Sequence, residues 1–171
     1  MLSLVLRHKP EVLGITLDDN GWTDVSVLLE KLSDQLVTKE MLVEIVEENN
    51  KQRFTFNDDC SKIRANQGHT IKVDLELTPA APTDILYHGT TTESLKSIMN
   101  MGLKKMERQH VHLSKDKETA EIVANRRKKH TTILGVDAKA MYDDGYIFFM
   151  SKNGVWLTDN VPAKYITLKI A

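Results

Sequence analysis

The first hydrophobic segment of the chain covers residues 2–6 and is followed by two cations and then by a proline. This pattern predicts a short helix with Arg7 and His8 in its last turn, because Pro10 disfavours helical angles in the residue before it. By itself the pattern is typical of a helix end whose positive charges complement the helix dipole.

Hydrophobic periodicity then predicts two more helices and a hairpin. Apolar residues at helical spacing follow Asp24, a candidate N-cap, and recur after Thr38. Strands are predicted at residues 53–56 and 62–65, joined by a polar turn. Three helices followed by a hairpin are the order of a winged-helix module, which commonly binds nucleic acid. The same order also occurs in modules that bind proteins or that have only a structural role.

The second half of the chain is predicted to form a mixed lobe of short elements. Residues 71–77 alternate apolar and charged side chains, as a half-buried strand does, and Pro79 and Pro82 follow. We therefore place a boundary between two lobes here. Beyond it the pattern predicts strands near residues 85–87, 110–113, 132–137, 146–151 and 155–158, and helices near 92–101 and 116–127. The predicted fold class is α+β.

Composition limits the kinds of protein that this chain can be. Its 171 residues are 41% hydrophobic, enough for a core, and 23 basic against 24 acidic residues leave a net charge of −1. A polyanion must therefore bind a local cluster of cations. Cys60 is the only cysteine, which excludes an internal disulfide and a multi-cysteine zinc site. The early apolar segment is too short for a signal peptide or a membrane span, so we expect an intracellular protein.

Two histidine-containing segments can carry chemistry. In YHGTT, residues 87–91, glycine permits close approach of the backbone to a ligand, although the segment also suits an ordinary strand-to-helix turn. In RQHVHLS, residues 108–114, a strand would place His110 and His112 on one face. Paired histidines also suit zinc, but no third-ligand motif accompanies them, so we expect no metal.

Cations recur in the motifs, whereas carboxylates suited to acid–base chemistry do not. The cations are Arg7, Arg53, Arg64, Arg108 and those of the basic segment 125–130. Taken singly, each of them is explained as a solvated surface charge or as a charge that complements a helix dipole. Together they indicate another role, since a planar guanidinium matches phosphate oxygens and a neighbouring histidine can exchange a proton near neutral pH. An enzyme built on these residues would suit phosphate chemistry.

Seven motifs occur in the order found in one known family. They are LSLVLRHKP, DDNGWTDV, KQRFTF, KIRANQGHT, LYHGTT, RQHVHLS and NGVWLT. Over residues 2–165 the sequence resembles the RNA 2′-phosphotransferases, the tRNA 2′-phosphotransferase family. The resemblance implies a winged-helix RNA-binding lobe at 1–70, a linker or connecting strand at 71–84, and an NAD-binding lobe of ADP-ribosyltransferase fold at 85–171.

The resemblance also implies a two-step reaction with NAD as co-substrate. An internal RNA 2′-phosphate, as at a tRNA splice junction, attacks the nicotinamide ribose and expels nicotinamide, which gives an RNA 2′-phospho-ADP-ribose intermediate. A ribose hydroxyl then attacks the phosphorus and releases 2′-OH RNA and ADP-ribose 1″,2″-cyclic phosphate. The implied partners are NAD and 2′-phosphorylated RNA, with tRNA the expected one. We expect a monomer, because no long heptad or apolar edge is evident, in the cytoplasm or, in a eukaryote, the nucleus.

Site residues follow from the matching motifs of the family. The implied catalytic residues, called the tetrad below, are Arg7, His8, Arg53 and Arg108. The first three are assigned to the RNA phosphate and the fourth to the transesterification. NAD binding is assigned to Tyr87, His88, Gly89, Thr90, His112, Ser114 and Val155, the last of which stands where many protein-modifying transferases keep a glutamate. RNA binding is assigned to Arg64, Asn66, Gln67, His69 and Arg126. Residues 126–131 depart from bacterial relatives, so only Arg126 is carried over there.

Two other functions fit parts of the same pattern. An ADP-ribosyltransferase that caps nucleic-acid phosphates would stop at the adduct. A winged-helix nucleic-acid-binding protein with an inactive second lobe would need none of the chemistry, but retention of the whole tetrad argues against it.

Overall fold

The computed structural model of the protein describes residues 1–49, 51–82, 84–126 and 130–168. Contacts divide the chain into two compact units. The N-terminal unit comprises Met1–Leu77 and Glu107–Gln109, and the C-terminal unit comprises Thr78–Met106 and His110–Ala171. Both units combine helices with small antiparallel sheets, which confirms the α+β class. The winged-helix and ADP-ribosyltransferase identities and the three domain ranges stay predictions.

The N-terminal unit has three α-helices and one three-stranded sheet within its described residues. The helices are α1 (Leu2–Arg7), α2 (Val25–Lys31) and α3 (Lys39–Glu47), and the strands are β1 (Thr23–Asp24), β2 (Phe54–Phe56) and β3 (Lys62–Ala65). β3 lies between β1 and β2, antiparallel to both, with Ile63 opposite Thr23 and Phe56. Helix and sheet pack on one core that includes Val5, Leu6, Leu28, Leu42, Phe54 and Ile63.

The predicted helices of this unit are confirmed, and two of them begin directly after the predicted N-cap residues. Asp24 is the N-cap of α2, although its side chain makes no capping hydrogen bond. Thr38 is the N-cap of α3, and its hydroxyl accepts a hydrogen bond from the backbone N–H of Met41.

The strand predicted at 71–77 is wrong, since this segment is extended but pairs with no strand among the described residues. Its backbone is held by single hydrogen bonds instead, from the N–H of Asp74 to the carbonyl of Asp19 (2.8 Å) and from the Gln109 amide to the carbonyl of Val73 (2.8 Å). Val73 is buried while its charged neighbours are exposed. The alternation of apolar and charged residues therefore reflects burial of one side of the segment, and an extended segment that pairs with no strand can show the same pattern.

The C-terminal unit contains two three-stranded sheets and a two-stranded pair within its described residues. The strands are β4 (Ile85–Thr91), β5 (Leu103–Lys104), β6 (Val111–Leu113), β7 (Thr131–Asp137), β8 (Phe148–Met150), β9 (Trp156–Thr158), β10 (Asn160–Val161) and β11 (Ile166–Leu168). The sheets have the orders β11–β7–β4 and β6–β9–β8, and β5 pairs with β10. The helices are α4 (Leu95–Met101), α5 (Lys117–Asn125) and α6 (Ala138–Asp143).

All five strands and both helices predicted for this unit are present, with ends that differ by a few residues. Gly102 ends α4 with φ +81°, and a Cβ there would lie 2.1 Å from the carbonyl oxygen of Val161, so only glycine fits this C-cap. The prediction missed α6 and the short strands β5, β10 and β11. Every helix within the described residues is too short or too polar to cross a membrane.

Candidate active site

The end of α1 presents the first two residues of the tetrad. Arg7 is the last residue of α1, and His8 is its C-cap. Val5 and Leu6, both 0% exposed, anchor the helix in the core, so the cations that follow are held at a fixed point on the unit. The guanidinium carbon of Arg7 lies 5.8 Å from the ring centre of Phe54, which begins β2. The position of Arg7 is therefore fixed by both helix and sheet.

Arg7 is a half-buried cation without an ion-pair partner among the described residues. Burial, and then the positive charges of Arg53 and Arg108, lower the pKa of Arg7 to about 10. Its Nε and Nη2 atoms are buried and have no hydrogen-bond partner within the described part of the chain. Buried donors normally have acceptors, and a guanidinium matches the oxygens of a phosphate. The arrangement of these donors is suited to binding an anion.

His8 shares the same positive environment. Its pKa is lowered by burial and by the charges of Arg108 and Arg7, against a smaller opposing effect of Glu107. This environment favours the neutral ring, and a phosphate dianion bound nearby would favour its protonated form. Nδ1 lies 3.1 Å from the hydroxyl oxygen of Thr70. A neutral imidazole held in this way can accept or donate a proton.

The whole tetrad belongs to the N-terminal unit, although Arg108 lies far along the chain. The segment Glu107–Gln109 groups with this unit, and the Gln109 side chain donates to the carbonyl of Val73. The charges of Arg53 and Arg108 both lower the pKa of Arg7, so each of them lies near Arg7. The structure thus brings together four residues that come from three separate motifs.

The RANQGHT motif, residues 64–70, supports this cluster. Arg64 lies over the ring of Trp22 at 4.4 Å and donates to the carbonyl of Asn20 at 3.2 Å, with Glu76 at 3.8 Å. Burial lowers the pKa of Arg64. Its guanidinium is thus anchored by an aromatic face and a carbonyl, and Gln67 nearby in the chain is half-buried.

Two residues that the sequence analysis assigned to RNA binding have little surface exposed for contact with RNA. The Asn66 side chain donates to the carbonyl of Gln52, and its backbone N–H donates to the carbonyl of Arg53 at 2.9 Å. Asn66 is 5% exposed and His69 is 1% exposed. Burial, followed by the charges of Arg7 and His8, lowers the pKa of His69 to about 4. Both side chains are placed to support the cluster from within.

In the C-terminal unit, four of the residues assigned to NAD lie where β4 and β6 meet. The N–H of Tyr87 donates to the carbonyl of Ser114 (2.9 Å), and the N–H of Ser114 donates to the carbonyl of Tyr87 (2.7 Å). Nδ1 of His88 lies 2.9 Å from the carbonyl oxygen of His112. Because a carbonyl only accepts, Nδ1 carries the proton and Nε2 is an acceptor in the neutral ring.

Gly89 lies at the open edge of β4 beyond that bridge. The backbone groups of Tyr87 point away from β7 toward Ser114, so those of Gly89, two residues further on, point the same way. A Cβ on Gly89 would lie 2.6 Å from the Cβ of Ala124 and 2.7 Å from the carbonyl oxygen of Ala120. Glycine is thus required by the close packing of α5, and its N–H and C=O are presented at a strand edge.

The remaining predicted residues are dispersed around the C-terminal unit. Thr90 is 4% exposed in β4. Val155 is half-buried just before β9, and its backbone N–H donates to the hydroxyl of Ser151 at 3.0 Å. Arg126 is exposed at the end of α5, and residues 127–129 of the predicted variant loop lie outside the described residues. Nowhere in the described ranges do three or more His, Cys, Asp or Glu side chains group as a metal site would need.

One contact residue was not selected from the sequence. Thr70 ends the RANQGHT motif, and it touches both residues at the end of α1, through its hydroxyl to His8 and through its backbone N–H to the carbonyl of Arg7 at 3.0 Å. Its place directly after His69 in the motif was the available signal. A threonine at such a position is ordinarily explained by local turn formation.

The chain as a whole is similar to known proteins. Residues 1–160 match the family model described as RNA 2′-phosphotransferase, Tpt1/KptA family. A "Probable RNA 2′-phosphotransferase" from Flavobacterium johnsoniae is 54% identical over 170 residues, which cover 98% of this chain and 93% of that protein. Proteins with the same name from Fusobacterium nucleatum and Rhizobium leguminosarum are each 52% identical over 167 residues, with 96% and 97% of this chain and 93% and 90% of theirs covered.

Proposed function

Because the chain belongs to the RNA 2′-phosphotransferase family, we propose that it is a transferase that removes an internal 2′-phosphate from RNA with NAD as co-substrate. The observation that carries this proposal is the tetrad itself, in which Arg7 has two buried N–H-bearing atoms without an acceptor among the described residues, beside two further arginines. Such a set of donors suits a phosphate group with two negative charges.

The tetrad residues have distinct roles in this proposal. Arg7 and Arg53 bind the 2′-phosphate, and Arg108 offsets the additional charge that develops when the phosphorus is attacked. His8 exchanges a proton with an oxygen in that second step, which its position beside the arginines allows. No carboxylate base is needed in the first step, because a phosphate is already an anionic nucleophile.

The C-terminal unit suits the co-substrate in one specific respect. The N–H and C=O of Gly89 at the strand edge form a donor–acceptor pair that matches a carboxamide. Nε2 of His88 would accept from a ribose hydroxyl, and Val155 leaves the local surface without the carboxylate of protein-modifying transferases. NAD would supply the ADP-ribosyl group to the RNA 2′-phosphate, with nicotinamide as the leaving group.

The expected products define the reaction as a whole. They are RNA with a free 2′-OH, nicotinamide and ADP-ribose 1″,2″-cyclic phosphate, formed through an RNA 2′-phospho-ADP-ribose intermediate. The natural substrate in this proposal is a tRNA that carries the 2′-phosphate at its splice junction. Arg64, Gln67 and Arg126 are exposed or half-buried cations and amides that would contact the RNA outside its 2′-phosphate.

The test is to incubate the protein with NAD and an oligoribonucleotide that bears one internal 2′-phosphate, and to identify the products by mass spectrometry. Loss of the phosphate with appearance of the cyclic phosphate supports the proposal. A stable ADP-ribosylated RNA identifies a capping transferase instead, and absence of any NAD-dependent change identifies a non-catalytic nucleic-acid-binding protein. An oligonucleotide of the same sequence without the 2′-phosphate is the control.

A further inference from the structure

Thr70 contacts the end of α1 at two points. Its hydroxyl oxygen lies 3.1 Å from Nδ1 of His8, and its backbone N–H donates to the carbonyl of Arg7 at 3.0 Å. The carbonyl of Arg7 is one of those left without an intrahelical partner at a helix end, so this second contact secures the last turn of α1. One residue therefore touches two members of the tetrad.

The hydroxyl contact constrains the ring of His8. An imidazole whose Nδ1 has a hydrogen-bond partner cannot rotate freely, and it has only Nε2 for a further partner. Within the described part of the chain, no residue bonds Nε2 of His8. The partner of a histidine determines which ring nitrogen is available for chemistry.

The chemistry of Thr70 differs from that of its neighbours in the motif. Its side chain is exposed, whereas His69 beside it is buried, so the hydroxyl contributes little to the core. Replacing the hydroxyl with a methyl group keeps the β-branched shape and leaves the backbone contact to Arg7 in place. The role of the hydroxyl can therefore be tested without unfolding the protein.

We propose that Thr70 is a positioning residue that holds Nδ1 of His8, so that Nε2 is the nitrogen that exchanges a proton with the phosphate-bearing substrate. This inference rests on the proposed function for its kinetic consequence, but the contact itself can be measured without any reaction. Thr70 needs no contact with RNA or NAD to act in this way.

The experiment compares Thr70→Val and Thr70→Ser with the wild type. We expect Thr70→Val to lower kcat about tenfold, as loss of one hydrogen bond that orients a reacting group does, with KM for the RNA within about twofold. Thr70→Ser restores the hydroxyl and should return kcat to near the wild-type value. Thr55→Val is the matched control, because the Thr55 hydroxyl donates only to the carbonyl of Phe56, at 3.3 Å, and its loss should leave kcat unchanged.

A spectroscopic measurement separates this inference from the proposed function. The ¹⁵N signals of His8, assigned by comparison with His8→Gln, should shift at Nδ1 in Thr70→Val and return in Thr70→Ser. A Thr70→Val variant with the wild-type kcat or with unshifted His8 signals would overturn the inference. If the wild type releases no phosphate from RNA, the proposed function fails, and the ¹⁵N comparison still decides whether Thr70 holds His8.

Discussion

Replacing Arg7 with methionine should make the free protein more stable and the enzyme inactive. Arg7→Met keeps an unbranched apolar stem at the end of α1 but removes the guanidinium and its charge, together with its contact with the ring of Phe54. Because the guanidinium is buried without an acceptor among the described residues, its removal relieves a penalty that the free protein carries.

The size of the effect follows from the pKa of Arg7. Its reduction from the ordinary value to about 10 corresponds to about 3 kcal/mol of disfavoured charge, at 1.36 kcal/mol per pKa unit. Partial exposure and local relaxation reduce this figure, so we expect a gain of about 1 to 3 kcal/mol in the free energy of unfolding. Removal of a preorganised charge contact should at the same time lower kcat by a factor on the order of 100 or more.

The assay is urea unfolding at pH 7, in the absence and presence of inorganic phosphate, combined with single-turnover rates on the 2′-phosphorylated oligonucleotide. Phosphate should stabilise the wild type more than Arg7→Met, because it supplies the acceptor that the buried donors lack. An Arg7→Met protein that is less stable than the wild type, or that retains near-normal activity, would refute the reasoning.

Three other variants test the packing around the two sites. Gly89→Ala should lower the free energy of unfolding by about 1 to 3 kcal/mol in urea titrations, because its Cβ would meet Ala124 at 2.6 Å; an unchanged unfolding midpoint would contradict this. Asn66→Ala removes the donor to the carbonyl of Gln52 and should lower kcat more than it raises KM for RNA in steady-state assays; normal kcat would exclude this indirect role. The folded protein keeps His69 neutral down to about pH 4, whereas the same side chain in the unfolded chain binds a proton below about pH 6.5. The free energy of unfolding should therefore fall by about 2 kcal/mol from pH 7 to pH 5. His69→Gln should lack this part of the pH dependence, and an identical pH profile of the unfolding free energy in both proteins would contradict the assignment.

The positions of helices were predictable from the sequence, whereas the pairing of extended segments was less so. α2 and α3 have both amphipathic periodicity and N-cap residues, and they form where predicted. Alternation at 71–77 reports burial on one side, but only tertiary contacts decide whether a paired strand forms. α6 had a usable signal in Asp137, whose side chain accepts from the N–H of Ala140.

The candidate site was predictable as a set of residue types but not as a geometry. Motif order indicated the tetrad, yet nothing in the sequence indicates that Arg108 packs with the unit that contains Arg7. Nor does the sequence distinguish Asn66, which bonds the backbone next to Arg53, from a residue that contacts RNA. Such distinctions depend on burial and on hydrogen-bond partners, which arise only when distant segments fold together.

The central claim, that the tetrad binds an RNA 2′-phosphate, is tested most directly by binding in the absence of NAD. Two oligoribonucleotides of the same sequence, with and without one internal 2′-phosphate, are titrated against the wild type and against Arg53→Ala by isothermal titration calorimetry at fixed salt. We expect the wild type to bind the phosphorylated oligonucleotide at least about tenfold more tightly, and Arg53→Ala to lose most of this preference. Equal affinity of the wild type for the two oligonucleotides would contradict it.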